Sequence, residues 1–220
     1  EKRSDRDFAQ KRFGTTPLRA LKKMGALGEH AAIVHGVWLD RDEVKMLADS
    51  GARVVSNPRS NMALGDGIAP LAEMTRAGVR VALGCDGPCA NNSLDIYSEM
   101  RAAEHLQRVR LERINVLPQE SVKGKLGADA LFKMGTAFGG EVLGISAGEI
   151  ERGQFADLVA LDVNDISLLP NDFSAVTAPR FERDKDALDP LLANIIFSMS
   201  PRAAIKAVVV GGKTILNYEF

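Results

Sequence analysis

Three short apolar runs alternate with segments of helical spacing, and this alternation most constrains the fold. The apolar runs are AAIVHGVWL (31–39), ARVVSNP (52–58) and VRVALGCD (79–86). The segments that follow them are RDEVKMLADSG after the capping residue Asp40, GIAPLAEMTRAG (67–78) and SLDIYSEMRAAEHLQRVR (93–110). Each run has the length of a strand and is almost entirely apolar, which is typical of strands buried on both faces. Strands of this kind joined by helices predict a parallel α/β sheet.

The flanking sequence predicts two further parts. Before the first strand, helices are expected at 4–12 and 15–24, separated by Gly14. After a linker, ERINVLPQESVKGKLG (112–127), the pattern predicts a helix around 127–143, a glycine turn leading into a strand within GEIERGQFADLVALDV, and an irregular segment at 164–190. Residues 204–220 predict a hairpin with its turn at Gly211 and Gly212. We therefore expect domains at 1–147 and 148–220.

Charge and composition exclude several functional classes. The formal net charge of -1 gives no electrostatic reason to expect nucleic acid as a partner. No apolar run approaches the roughly 18 residues of a membrane span, so no membrane partner is expected. The two cysteines, Cys85 and Cys89, are too few for a disulfide scaffold and indicate free thiols in a reducing, cytoplasmic setting. The possibility that the protein forms a homo-oligomer stays open.

Polar side chains follow each predicted strand, at the sheet edge where α/β proteins bind ligands. The first strand ends near His35, the second at Asn57, and the third at Asp86. Ser60 and Asn61 are expected in the loop after the second strand. An imidazole and a carboxylate at the same end of one sheet are typical of a hydrolytic metal site.

Each of these residues also has a structural interpretation. A histidine in an apolar strand is often a core residue, and a strand-end aspartate often caps a helix, although Ser93 is the better predicted cap here. Cys85 and Cys89 cannot fill a tetrahedral zinc site alone. No glycine-rich phosphate loop follows any strand, so a nucleotide site is not indicated.

Several separate motifs resemble the amidohydrolase superfamily. They are VHGVWLDRDEV, VVSNPRSNMALGDGIAPLAEMTRAGVRVALGCDG, NNSLDIYSEMR and GEIERGQFADLVALD. The resemblance is greatest to the aminohydrolase branch, which contains methylthioadenosine/S-adenosylhomocysteine deaminases, guanine and cytosine deaminases, and triazine hydrolases. It implies an α/β fold: the C-terminal part of a (β/α)8 TIM barrel, strands 6 to 8, plus the C-terminal part of a small β-sandwich domain.

The resemblance also implies roles for individual residues. His35 matches the strand 6 histidine that contacts water or substrate, and Asp86 matches the strand 8 aspartate that binds the metal and accepts a proton. Glu1 matches the glutamate that shuttles protons, although Lys2 replaces the usual threonine. Asn57, Ser60 and Asn61 are expected to bind substrate. The implied cofactor is Zn²⁺, with Fe²⁺ as the alternative.

No HxH motif, the family's first pair of metal ligands, occurs in this chain. A barrel alone needs about 250 residues, so we expect the C-terminal half of a longer enzyme, with a histidine three residues before Glu1. The expected reaction is metal-dependent hydrolytic deamination of a purine, pyrimidine, pterin or triazine type of heterocycle. The alternatives are removal of chloride or an alkylamine from a triazine-like ring, and a truncated module without activity.

Overall fold

The computed structural model describes residues 1–110, 126–162, 165, 185–197 and 201–218, and for 185–190 and 201–202 it describes the backbone alone. The chain forms two compact units, Glu1–Gly127 and Ala128–Phe220. This division falls earlier than the boundary expected at 147, which stays a prediction. The mixed α/β character expected from the sequence is confirmed.

The first unit consists of six helices and three strands among its described residues. In chain order they are α1 (Arg3–Phe13), α2 (Pro17–Lys23), β1 (Ala32–Val34), α3 (Arg41–Ser50), β2 (Arg53–Ser56), α4 (Pro58–Leu64), α5 (Leu71–Arg76), β3 (Val81–Leu83) and α6 (Ile96–Arg110). The predicted break between the first two helices is confirmed, because Gly14 ends α1 with a left-handed φ of 66°.

The three strands form the predicted parallel sheet, in the order β1-β2-β3. Ile33 pairs with Val54, and Val54 pairs with Val81, so the three carboxyl ends lie along one edge. Val54 and Val81 are completely buried. The strands are shorter than predicted: β1 ends at Val34, β2 at Ser56 and β3 at Leu83, before the polar residues His35, Asn57 and Asp86.

Asp40 caps α3 as predicted, and the same carboxylate anchors α1. Its Oδ1 accepts the Glu43 backbone N–H at 2.9 Å, while the Glu43 side chain accepts the Asp40 N–H, completing a capping box. Arg6 on α1 donates to Asp40 at 2.8 Å and to the buried Glu43 at 2.6 Å. These bonds fix the helix that follows directly after Glu1.

The segment after β2 corrects two expectations. Arg59, Ser60 and Asn61 are not in a loop but on helix α4. Pro58 occupies the first helical position, where its fixed φ favours a helix and its missing N–H has no consequence. The helix predicted at 67–78 is shorter, since Pro70 stands at the N-cap of α5.

The residue that caps helix α6 is not the predicted one. Asp95, rather than Ser93, accepts the backbone N–H groups of Tyr97 and Ser98, at 3.0 and 3.2 Å. Ser93 instead accepts a hydrogen bond from Arg59. Among the described helices none is long and apolar enough to cross a membrane. Most of the predicted linker, residues 112–125, lies outside the described residues.

The second unit contains four described helices and an antiparallel sheet. Its elements are α7 (Ala128–Gly135), α8 (Ala137–Leu143), β4 (Leu158–Leu161), α9 (Lys185–Phe197), α10 (Pro201–Ala204), β5 (Ile205–Val210) and β6 (Lys213–Asn217). The helix expected around 127–143 is split at Thr136. The hairpin turning at Gly211 and Gly212 is confirmed, and β4 pairs with β5. The expectation of an irregular 164–190 is wrong at its end, because α9 begins at Lys185, and most of the rest is outside the described residues.

Candidate active site

Glu1, His35 and Asp86 converge at the carboxyl edge of the parallel sheet. One ligand-type atom from each side chain, two carboxylate oxygens and an imidazole nitrogen, lies within 4.8 Å of the other two. His35 follows β1, Asp86 follows β3, and Glu1 precedes α1. The structure therefore brings together the three residues expected to carry the chemistry, although they are far apart in sequence.

His35 and Asp86 also have an unusual backbone. Among the described residues they are the two non-glycine residues with a positive φ, 68° and 61°. The Gly36 N–H donates to the Val34 carbonyl at 2.9 Å, so His35 is the central residue of a γ-turn with positive φ, a rare and strained conformation. Strained residues of this kind persist where the surroundings hold them, and they cluster at active sites.

Asp86 is held in its ionised form by two donors. The Ser60 hydroxyl donates to Oδ2 at 2.6 Å, and the Gly87 backbone N–H donates to Oδ1 at 2.7 Å. The Ser60 bond and then the Gly87 bond lower the pKa of Asp86, and the nearby His35 lowers it further when it is protonated. Asp86 therefore presents a charged carboxylate at the sheet edge, rather than capping α6.

His35 lies between Glu1 and Asn61. Its Nε2 is 3.7 Å from Glu1 Oε2, and its Nδ1 is 2.9 Å from Asn61 Oδ1. The backbone N–H of His35 donates to the Val55 carbonyl at 2.7 Å. Its side chain is 15% exposed, so the ring is neither a core residue nor a free surface group. The interpretation of His35 as a core histidine is therefore not supported.

Glu1 adjoins a buried acid that sequence reasoning missed. Asp66 is 3% exposed, and both of its carboxylate oxygens lack a donor among the described residues. The adjacent Asp66 carboxyl raises the pKa of Glu1, and partial burial raises it further, whereas His35, when protonated, opposes the shift. The only sequence signal for Asp66 is its place in the turn GDG (65–67).

Trp38 closes the side of the site next to Glu1. Its indole N–H donates to the Asp66 backbone carbonyl at 2.7 Å, and the Arg3 guanidinium lies 5.7 Å from the ring centroid. Trp38, Glu1 and several apolar side chains line a cavity of about 110 Å³.

The three residues expected to bind substrate, Asn57, Ser60 and Asn61, are all buried. Ser60 and Asn61 are at most 1% exposed and contact Asp86 and His35, as described above. Asn57 is 4% exposed, and its amide donates to the Ser56 and Gly84 carbonyls, each at 3.1 Å. Direct substrate contact by these residues stays a prediction; the contacts observed are with Asp86, His35 and the ends of β2 and β3.

A second buried acid, also missed from the sequence, holds the loop that carries Asp86. Glu99 on α6 is fully buried and accepts the Arg59 backbone N–H at 3.0 Å and the Asn91 amide at 2.6 Å. Asn91 also donates to the Cys85 carbonyl. Burial raises the pKa of Glu99. Cys85 and Cys89 are free thiols, as predicted.

Sequence comparison identifies proteins similar to this chain. It is 32% identical over 207 residues to a 5-methylthioadenosine/S-adenosylhomocysteine deaminase of Pyrococcus abyssi, covering 94% of this chain and 42% of that protein. It is 40% identical over 157 residues to a 5'-deoxyadenosine deaminase of Methanothermobacter thermautotrophicus, covering 71% of this chain and 35% of that protein. The chain thus spans less than half the length of these relatives.

Solved structures extend the likeness to the fold. An adenosine deaminase from Xanthomonas campestris with bound zinc superposes with a TM-score of 0.77 at 27% identity, covering 99% of this chain and 44% of that one. An atrazine chlorohydrolase from Arthrobacter aurescens, also with zinc, gives 0.79 at 23% identity, covering 99% and 43%, which is evidence of shared fold alone. The sequence model of the amidohydrolase family matches residues 2–215. On the extent of that match, the chain belongs to the amidohydrolase family.

Proposed function

We propose that this chain supplies the deaminating half of a metal-dependent hydrolase that removes an amino group from a heterocyclic ring. The observation that carries the proposal is the convergence of Glu1, His35 and Asp86 at one sheet edge. Two carboxylates and an imidazole with unequal surroundings provide the separate acid and base that hydrolysis of an amidine-like carbon needs. The proposed whole-enzyme architecture is a (β/α)8 barrel whose strands 6 to 8 are β1 to β3, with β4 to β6 in a small β-sandwich.

The donor set fits zinc. Carboxylate oxygens and an imidazole nitrogen are zinc ligands, and those of this site lie within 4.8 Å of one another. We assign Asp86 as the ligand from this chain and leave His35 and Glu1 for the chemistry. When bound, zinc would supply a water molecule whose pKa is lowered toward neutrality. Zinc in the Xanthomonas structure supports this assignment over iron.

Asp86 acts as the base. Its lowered pKa keeps it ionised at neutral pH, so it can accept a proton from the attacking water. Ser60 and the Gly87 amide fix its two oxygens, so that the carboxylate keeps one orientation. The strained backbone of Asp86 directs the side chain away from the sheet core.

Glu1 acts as the acid, and His35 orients the water. The raised pKa of Glu1 keeps part of the population protonated, and this proton passes to the ring nitrogen beside the attacked carbon. A C–O bond forms as the water adds. Asp86 then passes the proton it accepted, by way of Glu1, to the amino group, the C–N bond breaks, and ammonia leaves. The proton of the new hydroxyl group returns to Glu1. The ring keeps the oxygen as a carbonyl.

The names of the relatives support an adenosine-type substrate. A direct test uses the full-length enzyme with zinc and measures ammonia release from 5'-deoxyadenosine, methylthioadenosine, guanine and cytosine. We expect adenosine-type compounds to give the highest kcat/KM. Release of ammonia from none of the panel would contradict the proposal.

Removal of chloride from a triazine is the second candidate, favoured by the fold likeness to atrazine chlorohydrolase. Chloride needs no proton to leave, so this reaction would depend less on Glu1. Chloride release from atrazine in the absence of ammonia release would favour it. A truncated module without activity would show neither product even with the full set of metal ligands present.

A further inference from the structure

Asn61 lies where it can determine which ring nitrogen of His35 points toward the site of the proposed reaction. The backbone of His35 is fixed by the γ-turn and by the bond to the Val55 carbonyl, so the position of the ring is set. Neither backbone feature determines which of its two flipped orientations the imidazole ring adopts. A rotation of the ring about its bond to Cβ would exchange Nδ1 for a carbon, so a side-chain partner has to make that choice.

Asn61 is rigidly held for that task. It is 1% exposed, its backbone N–H donates to the Asn57 carbonyl at 3.0 Å, and its own carbonyl accepts the Asp66 N–H at 2.9 Å. Its Oδ1 is 2.9 Å from His35 Nδ1. An amide oxygen can only accept, so this contact requires the proton on Nδ1. Water does not compete for a buried acceptor of this kind.

We infer that Asn61 is a positioning residue: it keeps the imidazole proton on Nδ1 and turns the lone pair of Nε2 toward Glu1, as an acceptor for the attacking water. The catalytic part of this inference rests on the proposed function, whereas the tautomer does not. The 3.7 Å between Nε2 and Glu1 Oε2 places that lone pair at the edge of the reacting space. Among the described residues, Glu1 and Asp86 are the titratable groups whose ligand-type atoms lie next to the His35 ring.

Helix α4 also contacts Asp86. Ser60, the residue before Asn61, donates to Asp86 Oδ2, so two consecutive residues of α4 contact the two strand-end catalytic groups. Sequence reasoning placed both residues against the substrate. Their burial and their partners indicate instead that α4 fixes orientation, which is the role of outer-shell residues in other catalytic sites.

The test combines NMR and kinetics on the zinc-loaded full-length enzyme. Ring ¹⁵N shifts of labelled histidine distinguish the two neutral tautomers, and His35→Asn assigns the signal. We expect wild-type His35 to be protonated on Nδ1. Asn61→Leu should move the signal toward the Nε2-protonated form and lower kcat by about 10- to 100-fold with little change in KM. Asn61→Asp, which keeps an acceptor facing Nδ1, should keep the wild-type tautomer.

Met62→Leu is the matched control, because Met62 is the next residue on α4 and is 49% exposed. It should change neither the signal nor kcat. Wild-type His35 protonated on Nε2 would overturn the inference, and so would an unchanged signal in Asn61→Leu. If Asn61→Leu fails to fold, the wild-type spectrum and Asn61→Asp still decide the matter. An inactive wild-type enzyme with the expected tautomer would contradict the proposed function alone.

Discussion

His35 and Asp86 share a left-handed backbone, with φ values of 68° and 61°, although one follows β1 and the other follows β3. Each strand is therefore followed by a residue with a strained backbone whose titratable side chain lies at the sheet edge. A non-glycine residue in the left-handed backbone conformation costs about 1–2 kcal/mol of folding free energy. The surrounding hydrogen bonds must offset that cost at both strand ends. This symmetry makes the two residues natural targets for substitution.

Asp86→Asn in the full-length enzyme should lower kcat on the order of a thousandfold and reduce the zinc content. The amide is nearly isosteric and tolerates a left-handed backbone, but it can neither accept a proton nor supply the negative charge. Turnover, metal content and Tm are measured together. The exposed Asp49, paired with Lys45, provides the control Asp49→Asn. An active variant with a full complement of zinc would exclude Asp86 from both roles.

His35→Asn should lower kcat by about a hundredfold while the enzyme keeps its zinc. Asparagine accepts the positive φ of this position, so the γ-turn should persist. Elemental analysis and steady-state kinetics check the two halves of the prediction. Loss of zinc together with activity would make His35 a metal ligand instead.

Asp66→Asn should move the high-pH limb of kcat/KM to lower pH. The carboxyl of Asp66 is the chief cause that raises the pKa of Glu1. A raised pKa keeps the acid protonated to higher pH, so removing the cause lets Glu1 lose its proton earlier as the pH rises. A pH profile of both enzymes measures the shift. A limb that stays in place, or that moves upward, would mean that Glu1 is not the acid.

Gly84→Ala should destabilise the fold by about 1–3 kcal/mol. A Cβ at this position would lie 2.6 Å from the terminal amide group of Asn57 and 3.1 Å from Val55 Cγ1. Gly87 stands on the other side of Asp86 and would place its Cβ in open space, so Gly87→Ala is the matched control. Thermal unfolding of the two variants compares them. Equal Tm values would show that the amide of Asn57 moves aside without cost.

The sequence predicts the convergence of His35 and Asp86 because parallel strands have their carboxyl ends at one sheet edge. It does not predict α4, since SNPRSNMALG has the polar residues of a loop, and only the tertiary fold shows that this segment packs against α6. The burial of Glu99 and Asp66 is not predicted from the sequence for a related reason. A lone acid in a helix or a glycine turn usually faces solvent, and only the tertiary fold shows that both are buried.

The hydrogen bond between the Trp38 indole and the Asp66 carbonyl has an optical consequence. Trp38 is the single tryptophan of this chain, and it lines the same cavity as Glu1, beneath the guanidinium of Arg3. Indole emission depends on the polarity and charge around the ring. A substrate analogue that reaches Glu1 would change those surroundings, so the intrinsic fluorescence of this part of the enzyme becomes a direct, label-free titration signal for binding.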